Sequence, residues 1–181
     1  MILSVPGWQN SPPGHWQTLW EAALPGPIRR VEQADWHSVH RPDWVRTLHR
    51  SIQAVPQPVV LLAHSLGALT VAHWAAGHPA DAVRIRGAFL VAPPDIDTPG
   101  CCPDCLQSFG PIPQQPLPFP SLVVGSQSDP YATPARLRAM AHAWKAGYYC
   151  AGDVGHINLA SGHGPWPQGE ELLAGFLAAL P

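Results

Sequence analysis

The chain has 181 residues, and its 10 Lys+Arg against 12 Asp+Glu leave a net charge of −2. That balance gives no electrostatic case for binding nucleic acid or an anionic membrane, and the length suits one domain, residues 1–181, with a substantial core. Charged residues make up only 12%, about half the ordinary share, while 23 prolines and 8 tryptophans point to stiff loops and a bulky core or pocket.

The N-terminal MILSVPGW has neither a basic region nor a long apolar segment, so it does not read as a secretory signal. Four cysteines do not make a disulfide framework in a chain of this size, and the longest apolar runs fall short of a membrane span. A cytoplasmic protein is expected.

In chain order, Ile2 to Val5 is a short apolar strand broken by Pro6-Gly7. Trp16, Leu19, Trp20, Ala23 and Leu24 recur at helical spacing until Pro25-Gly26-Pro27 ends the run. Ile28 to Val31, interrupted by Arg29 and Arg30, reads as a strand near a sheet edge. Pro42 is a good first helical residue, and Val45, Leu48 and Ile52 give that helix its apolar stripe. Pro58 to Ala63 is apolar throughout, as a parallel strand buried on both faces would be. A run of helical length follows, stopped by Gly77 and Pro79.

Ile85 to Ala92 and Ser121 to Val124 predict two further strands. Thr133-Pro134 caps a helix with inner face Leu137, Met140, Ala141 and Trp144. Gly147 to Ala151 predicts a sixth strand, and Leu173, Phe176, Leu177 and Leu180 mark the last helix. Strands alternating with helices predict a three-layer α/β/α sandwich around a mostly parallel six-stranded sheet. One segment breaks the rhythm: residues 93–120 hold nine prolines and no clear element. A connection of that length is usually functional or disordered. Its place after a strand suggests a minimal lid over a site, with a rigid surface loop as the alternative.

The chemistry centres on Ala63-His64-Ser65-Leu66-Gly67, at the junction of the buried strand with the helix. That is the geometry of a nucleophile elbow, in which a sharp turn exposes a serine hydroxyl above the sheet. Small flanking residues let the backbone pass close to its neighbours, and the helix N-terminus favours an oxyanion. The plainer alternative is a serine capping a buried helix. His64 adjoins the serine and is expected to point away from it.

A serine needs a base, and the base an orienting carboxylate. After the fifth strand comes Gly125-Ser126-Gln127-Ser128-Asp129-Pro130, and after the sixth Gly152-Asp153-Val154-Gly155-His156. Asp129 and His156 are therefore the candidate acid and base. Asp129 as a turn cap, or Asp153, Asp95 or Asp97 as the acid, are the alternatives. Leu66 and Trp8 are the candidate backbone donors to an oxyanion. Gly7 allows the close approach and, with Trp8, would border the substrate. Cys101, Cys102 and Cys105 cluster, but a tetrahedral metal site wants a fourth ligand that is missing. No metal or cofactor is expected; a redox role and incidental thiols are the other readings.

Several segments carry a resemblance: PGWQNSPPGHWQTLWE at 6–21, QADWHSVHRPDWVRTL at 33–48, LLAHSLGAL at 61–69, VAPPD at 91–95, VVGSQSDPYAT at 123–133 and GHINLASGHGPWPQG at 155–169. Together they resemble the small serine hydrolases of the retinoblastoma-binding-protein-9/YdeN family, in the α/β-hydrolase superfamily. The resemblance implies Ser65 as nucleophile, Asp129 as acid, His156 as base, and a hydrolase core without a cap domain. The cysteine-containing insert at 101–105 departs from the family pattern. The expected function is metal-free hydrolysis of small esters or related acyl compounds through an acyl-enzyme. The alternative is a protein-interaction module on the same fold, its partner undefined.

Overall fold

A computed structural model describes residues 1–181. Six strands form one sheet: β1 (Ile2–Val5), β2 (Ile28–Arg30), β3 (Val59–His64), β4 (Ile85–Val91), β5 (Ser121–Gly125) and β6 (Gly147–Cys150). Their order is β2-β1-β3-β4-β5-β6, and every neighbouring pair is parallel. Five helices connect them: α1 (Trp16–Ala23), α2 (Arg41–Gln53), α3 (Leu66–Gly77), α4 (Pro134–Ala143) and α5 (Pro167–Ala178). None is long and apolar enough to cross a membrane.

The side-chain period of two sorts the central strands into two cores. Leu61 and Ala63 of β3, Ala88 and Leu90 of β4 and Val123 of β5 face the layer of α2, α3 and α4, where Trp44, Trp74 and Met140 pack. Leu62, Phe89, Val91 and Val124 face the layer of α1 and α5, meeting Trp16, Trp20, Trp166 and Leu173. All six residues of β3 are buried, as its unbroken apolar run requires. The expected three-layer sandwich is the one observed. β2 and β6 lie at the two edges, which suits the arginines of β2.

Local boundaries differ from the sequence reading. The α2 stripe is led by Trp44, with Leu48 and Ile52 below it, and Val45 is only half-buried. The indole fills the space between the helix and Phe109, whose ring is 5.9 Å away, and the helix starts at Arg41, one residue before Pro42. On α5 only Leu173 of the expected face is fully buried. Phe176 and Leu180 lie over Gly87 of β4, where a Cβ would meet them at 3.0 and 2.7 Å.

Residues 93–120 are packed. A short 3₁₀ turn spans Asp104–Phe109, and Ile96, Leu106, Phe109, Ile112, Leu117 and Phe119 join the α2–α4 core. Asp95 is 1% exposed, and Arg136 of α4 grips it through two N–H donors at 2.8 and 2.9 Å. Burial pushes the Asp95 carboxyl up, but the Arg136 and Thr98 hydrogen bonds outweigh it and leave its pKa below the usual value.

Candidate active site

The chain runs from β1 outward to β2 and then returns to β3 on the other side of β1. Open α/β sheets place their sites at such a switch point, beyond the strand C-termini. Gly7-Trp8 follows β1, and Ser65 follows β3, so the two loops straddle it.

The turn at Ser65 concentrates its strain on the serine, with φ 52° and ψ −125°, a region that non-glycine residues rarely occupy. Ala63 stays within β3. The other small flank answers to close packing: a Cβ on Gly67 would lie 2.1 Å from the Val5 carbonyl oxygen. Gly7 approaches from the β1 side, and a Cβ there would lie 2.8 Å from Ser65 Cβ and 3.2 Å from the Leu66 nitrogen.

Ser65 Oγ lies 2.9 Å from His156 Nε2. His156 Nδ1 lies 3.0 and 2.9 Å from the two Asp129 carboxylate oxygens. An ionised carboxylate only accepts, so the proton sits on Nδ1, and Nε2 offers its lone pair to the serine hydroxyl. Asp129 is 9% exposed and His156 6%. The three side chains named from sequence thus meet although 91 residues separate the serine from the histidine. Asp129 also accepts the Tyr131 N–H at 2.9 Å, so its turn-capping role and its contact with the imidazole coexist. Of the rival carboxylates, Asp95 is held by Arg136, Asp97 accepts the Ile112 N–H, and Asp153 is exposed.

Leu66 opens α3, where a helix leaves its N–H without an intrahelical acceptor. The Trp8 indole N–H donates to the His37 carbonyl at 3.1 Å, which fixes the ring at the rim. A cavity of about 240 Å³ opens over Ser65, bordered by Trp8, His15, Tyr131, His156 and Leu159. Pro94, Pro103 and Leu106 add a wall from the proline-rich segment, so that segment stands at the mouth of the site and is anchored to the core behind it. Gly7, expected beside the substrate, lies behind Trp8 against the elbow and does not line the cavity.

The supports of the site were missed from sequence. Ser126 Oγ accepts the Val154 N–H at 3.1 Å and donates to the Gly152 carbonyl at 3.2 Å, and Ser128 Oγ accepts the Gly155 N–H at 3.0 Å. These bonds lace the Asp129 loop to the His156 loop. Trp16 donates to the Ile157 carbonyl at 2.8 Å. His64 does not turn away from the site: its ring is 5.0 Å from that of His156, and it lines the cavity. The positive φ at Ser65 takes it out of the strand conformation, so successive side chains there do not have to point to opposite faces. Burial, then the neighbouring His156 and His15, hold the His64 pKa well below the ordinary histidine value.

The thiols of Cys101 and Cys102 turn toward the Tyr131 carbonyl, at 3.1 and 3.9 Å, while Cys105 is exposed. Burial pushes the Cys102 thiol up to about 12, which makes it a poor nucleophile at neutral pH.

The family model described as serine hydrolase matches residues 2–175. A crystal structure of a YdeN-like hydrolase from Pectobacterium atrosepticum is 32% identical, with a TM-score of 0.86, covering 100% of this chain and 92% of that one. The ydeN gene product of B. subtilis is 17% identical with a TM-score of 0.79, covering 98% of each chain. A thermophilic esterase from Thermogutta terrifontis, 15% identical, matches at a TM-score of 0.70 over 98% of this chain and 89% of that one. Among curated proteins none matches the chain.

Proposed function

Because the chain belongs to the serine hydrolase family, in its YdeN-like branch, we propose that it hydrolyses small, uncharged carboxylic esters at Ser65. The observation that carries this reading is the unbroken run of hydrogen bonds from Ser65 through His156 to Asp129 at the floor of the cavity. The cavity wall contains no Asp, Glu, Lys or Arg, so a charged acyl group would find no partner to offset its desolvation.

Ser65 Oγ attacks the ester carbonyl carbon as its proton passes to His156 Nε2. Asp129 holds the Nδ1 proton and stabilises the imidazolium that forms. The oxyanion is received by the Leu66 and Trp8 backbone N–H groups. When the intermediate collapses, the C–O bond to the alcohol breaks and His156 returns its proton to the leaving oxygen. Water then repeats the sequence on the acyl-enzyme, releasing the acid and the free serine. Each oxyanion donor contributes on the order of 10²–10³ in kcat.

Ser65→Ala should abolish hydrolysis of p-nitrophenyl acetate and leave the thermal unfolding profile unchanged. Turnover by that variant at the wild-type rate would overturn the assignment.

A further inference from the structure

His15 and His64 take no part in the steps above, yet both line the cavity, and they are only 3% and 5% exposed. The His15 Nδ1 accepts the Gln17 N–H at 3.2 Å, capping α1. A ring nitrogen that accepts carries no proton, so neutral His15 holds its proton on Nε2. Burial, followed by the charges of Arg30, His156 and His163, pushes its pKa down to about 4, so the ring is uncharged at neutral pH.

His64 has the opposite polarity. Its Nε2 lies 3.0 Å from the His156 carbonyl oxygen. A carbonyl only accepts, so Nε2 carries the proton and Nδ1 keeps a lone pair. Neither His15 Nε2 nor His64 Nδ1 has a partner within the chain. The two rings are 5.0 Å apart. One unpaired donor and one unpaired acceptor therefore belong to adjacent rings, both of residues that line the cavity. A hydroxyl both accepts and donates, the two roles these nitrogens leave open.

The rings run in the order His156, His64, His15, each 5.0 Å from the next. A leaving oxygen takes its proton from His156 Nε2, which puts the alcohol portion of an ester beside the first of these three rings. We propose that His15 and His64 form a subsite for a hydroxyl on the alcohol portion, which makes short-chain monoesters of diols or polyols the preferred substrates. The proposal rests on the serine hydrolase reading above. The volume agrees: a cavity of about 150 Å³ holds benzene, and about 240 Å³ accommodates a short acyl group with a two- or three-carbon alcohol.

The test compares 2-hydroxyethyl butyrate with propyl butyrate, which differ by a terminal hydroxyl in place of a methyl, by following butyrate release. An alkyl ester covers the donor and acceptor without pairing them, and the expected preference for the hydroxyethyl ester is about tenfold in kcat/KM. In His15→Asn the amide oxygen takes the place of Nδ1 and keeps the helix cap, but nothing reaches the Nε2 position, so the preference should fall to about threefold or less. In His15→Gln an amide N–H reaches toward the Nε2 position while the cap is lost, so the preference should persist although the melting temperature drops. A role confined to capping α1 would give the reverse, with Asn silent and Gln impaired. Equal kcat/KM for the two esters in the wild type, or an undiminished preference in His15→Asn, would overturn the proposal. So would a wild-type protein that reacts with a fluorophosphonate at Ser65 yet cleaves neither ester. Failure to react with the fluorophosphonate at all would instead bring down the serine hydrolase reading beneath it.

Discussion

His64 Nε2 donates to the carbonyl oxygen of His156 at 3.0 Å, tying the residue before the proposed nucleophile to the backbone of the proposed base. The bond joins the end of β3 to the loop after β6, which the sheet order sets three strands apart. A second bond, from Trp16 to Ile157, holds the next peptide from the α1 side. Ile157 itself has φ 51°, a costly conformation for a β-branched residue, and it persists because its neighbours on both sides are pinned.

Removing the second brace tests this account. Trp16→Phe keeps most of the aromatic contact with Trp20 and Trp166 but leaves the buried Ile157 carbonyl without its donor. We expect a loss of about 1–3 kcal/mol in urea unfolding, and a fall in kcat larger than any change in KM. A kcat equal to wild type would show that the His156 loop holds its geometry unaided.

Asp129→Asn separates charge from shape. The amide oxygen can still accept the Tyr131 N–H, but its NH₂ presents a donor to His156 Nδ1. The imidazole proton is then driven to Nε2, where it blocks transfer from Ser65. The expected fall in kcat is about 10³–10⁴-fold with little change in melting temperature. A loss below tenfold would remove Asp129 from its proposed role.

Gly7→Ala places a methyl 2.8 Å from Ser65 Cβ, so the loop bearing Trp8 must retreat from the elbow. Loss of one oxyanion donor predicts a drop of roughly 10²-fold in kcat for an activated ester. Circular dichroism should show the sheet intact. An active Gly7→Ala protein would place the second donor elsewhere.

Acid stability follows from the buried imidazoles. In the folded chain His15 titrates near 4, against 6.5 for the free side chain, and His64 is also depressed. Between those values the unfolded chain binds more protons than the folded one, so stability is fully present above about pH 6.5 and is lost as pH falls toward 4. At about 1.4 kcal/mol per pH unit between the two values, His15 alone removes on the order of 3 kcal/mol. Urea unfolding from pH 7.5 to 4 should show a shallower decline for His15→Asn than for wild type. Parallel declines would contradict the buried, neutral state of His15.

The residues that meet in the site were legible because each stands just beyond a strand with a clear apolar pattern. The run before Ser65, the turn before Asp129 and the glycine-flanked loop before His156 all announce the same edge of the sheet. The packing of Trp44 in preference to Val45 was not legible, since helical spacing admits either and the choice depends on Phe109 from the proline-rich segment. The orientation of His64 escaped for another reason: alternation describes strands, and Ser65 leaves the strand conformation. The bonds from Ser126 and Ser128 to the His156 loop span 26 to 28 residues, and nothing local in Gly125-Ser126-Gln127-Ser128 distinguishes such serines from ordinary turn formers.

The reactivity of Ser65 is read most directly from the mass and site of the adduct formed with a fluorophosphonate. We expect one equivalent per chain, mapped to Ser65, with no adduct in Ser65→Ala and markedly slowed labelling in His156→Ala. A folded wild-type protein that remains unlabelled, or that carries its adduct on another residue, would contradict it.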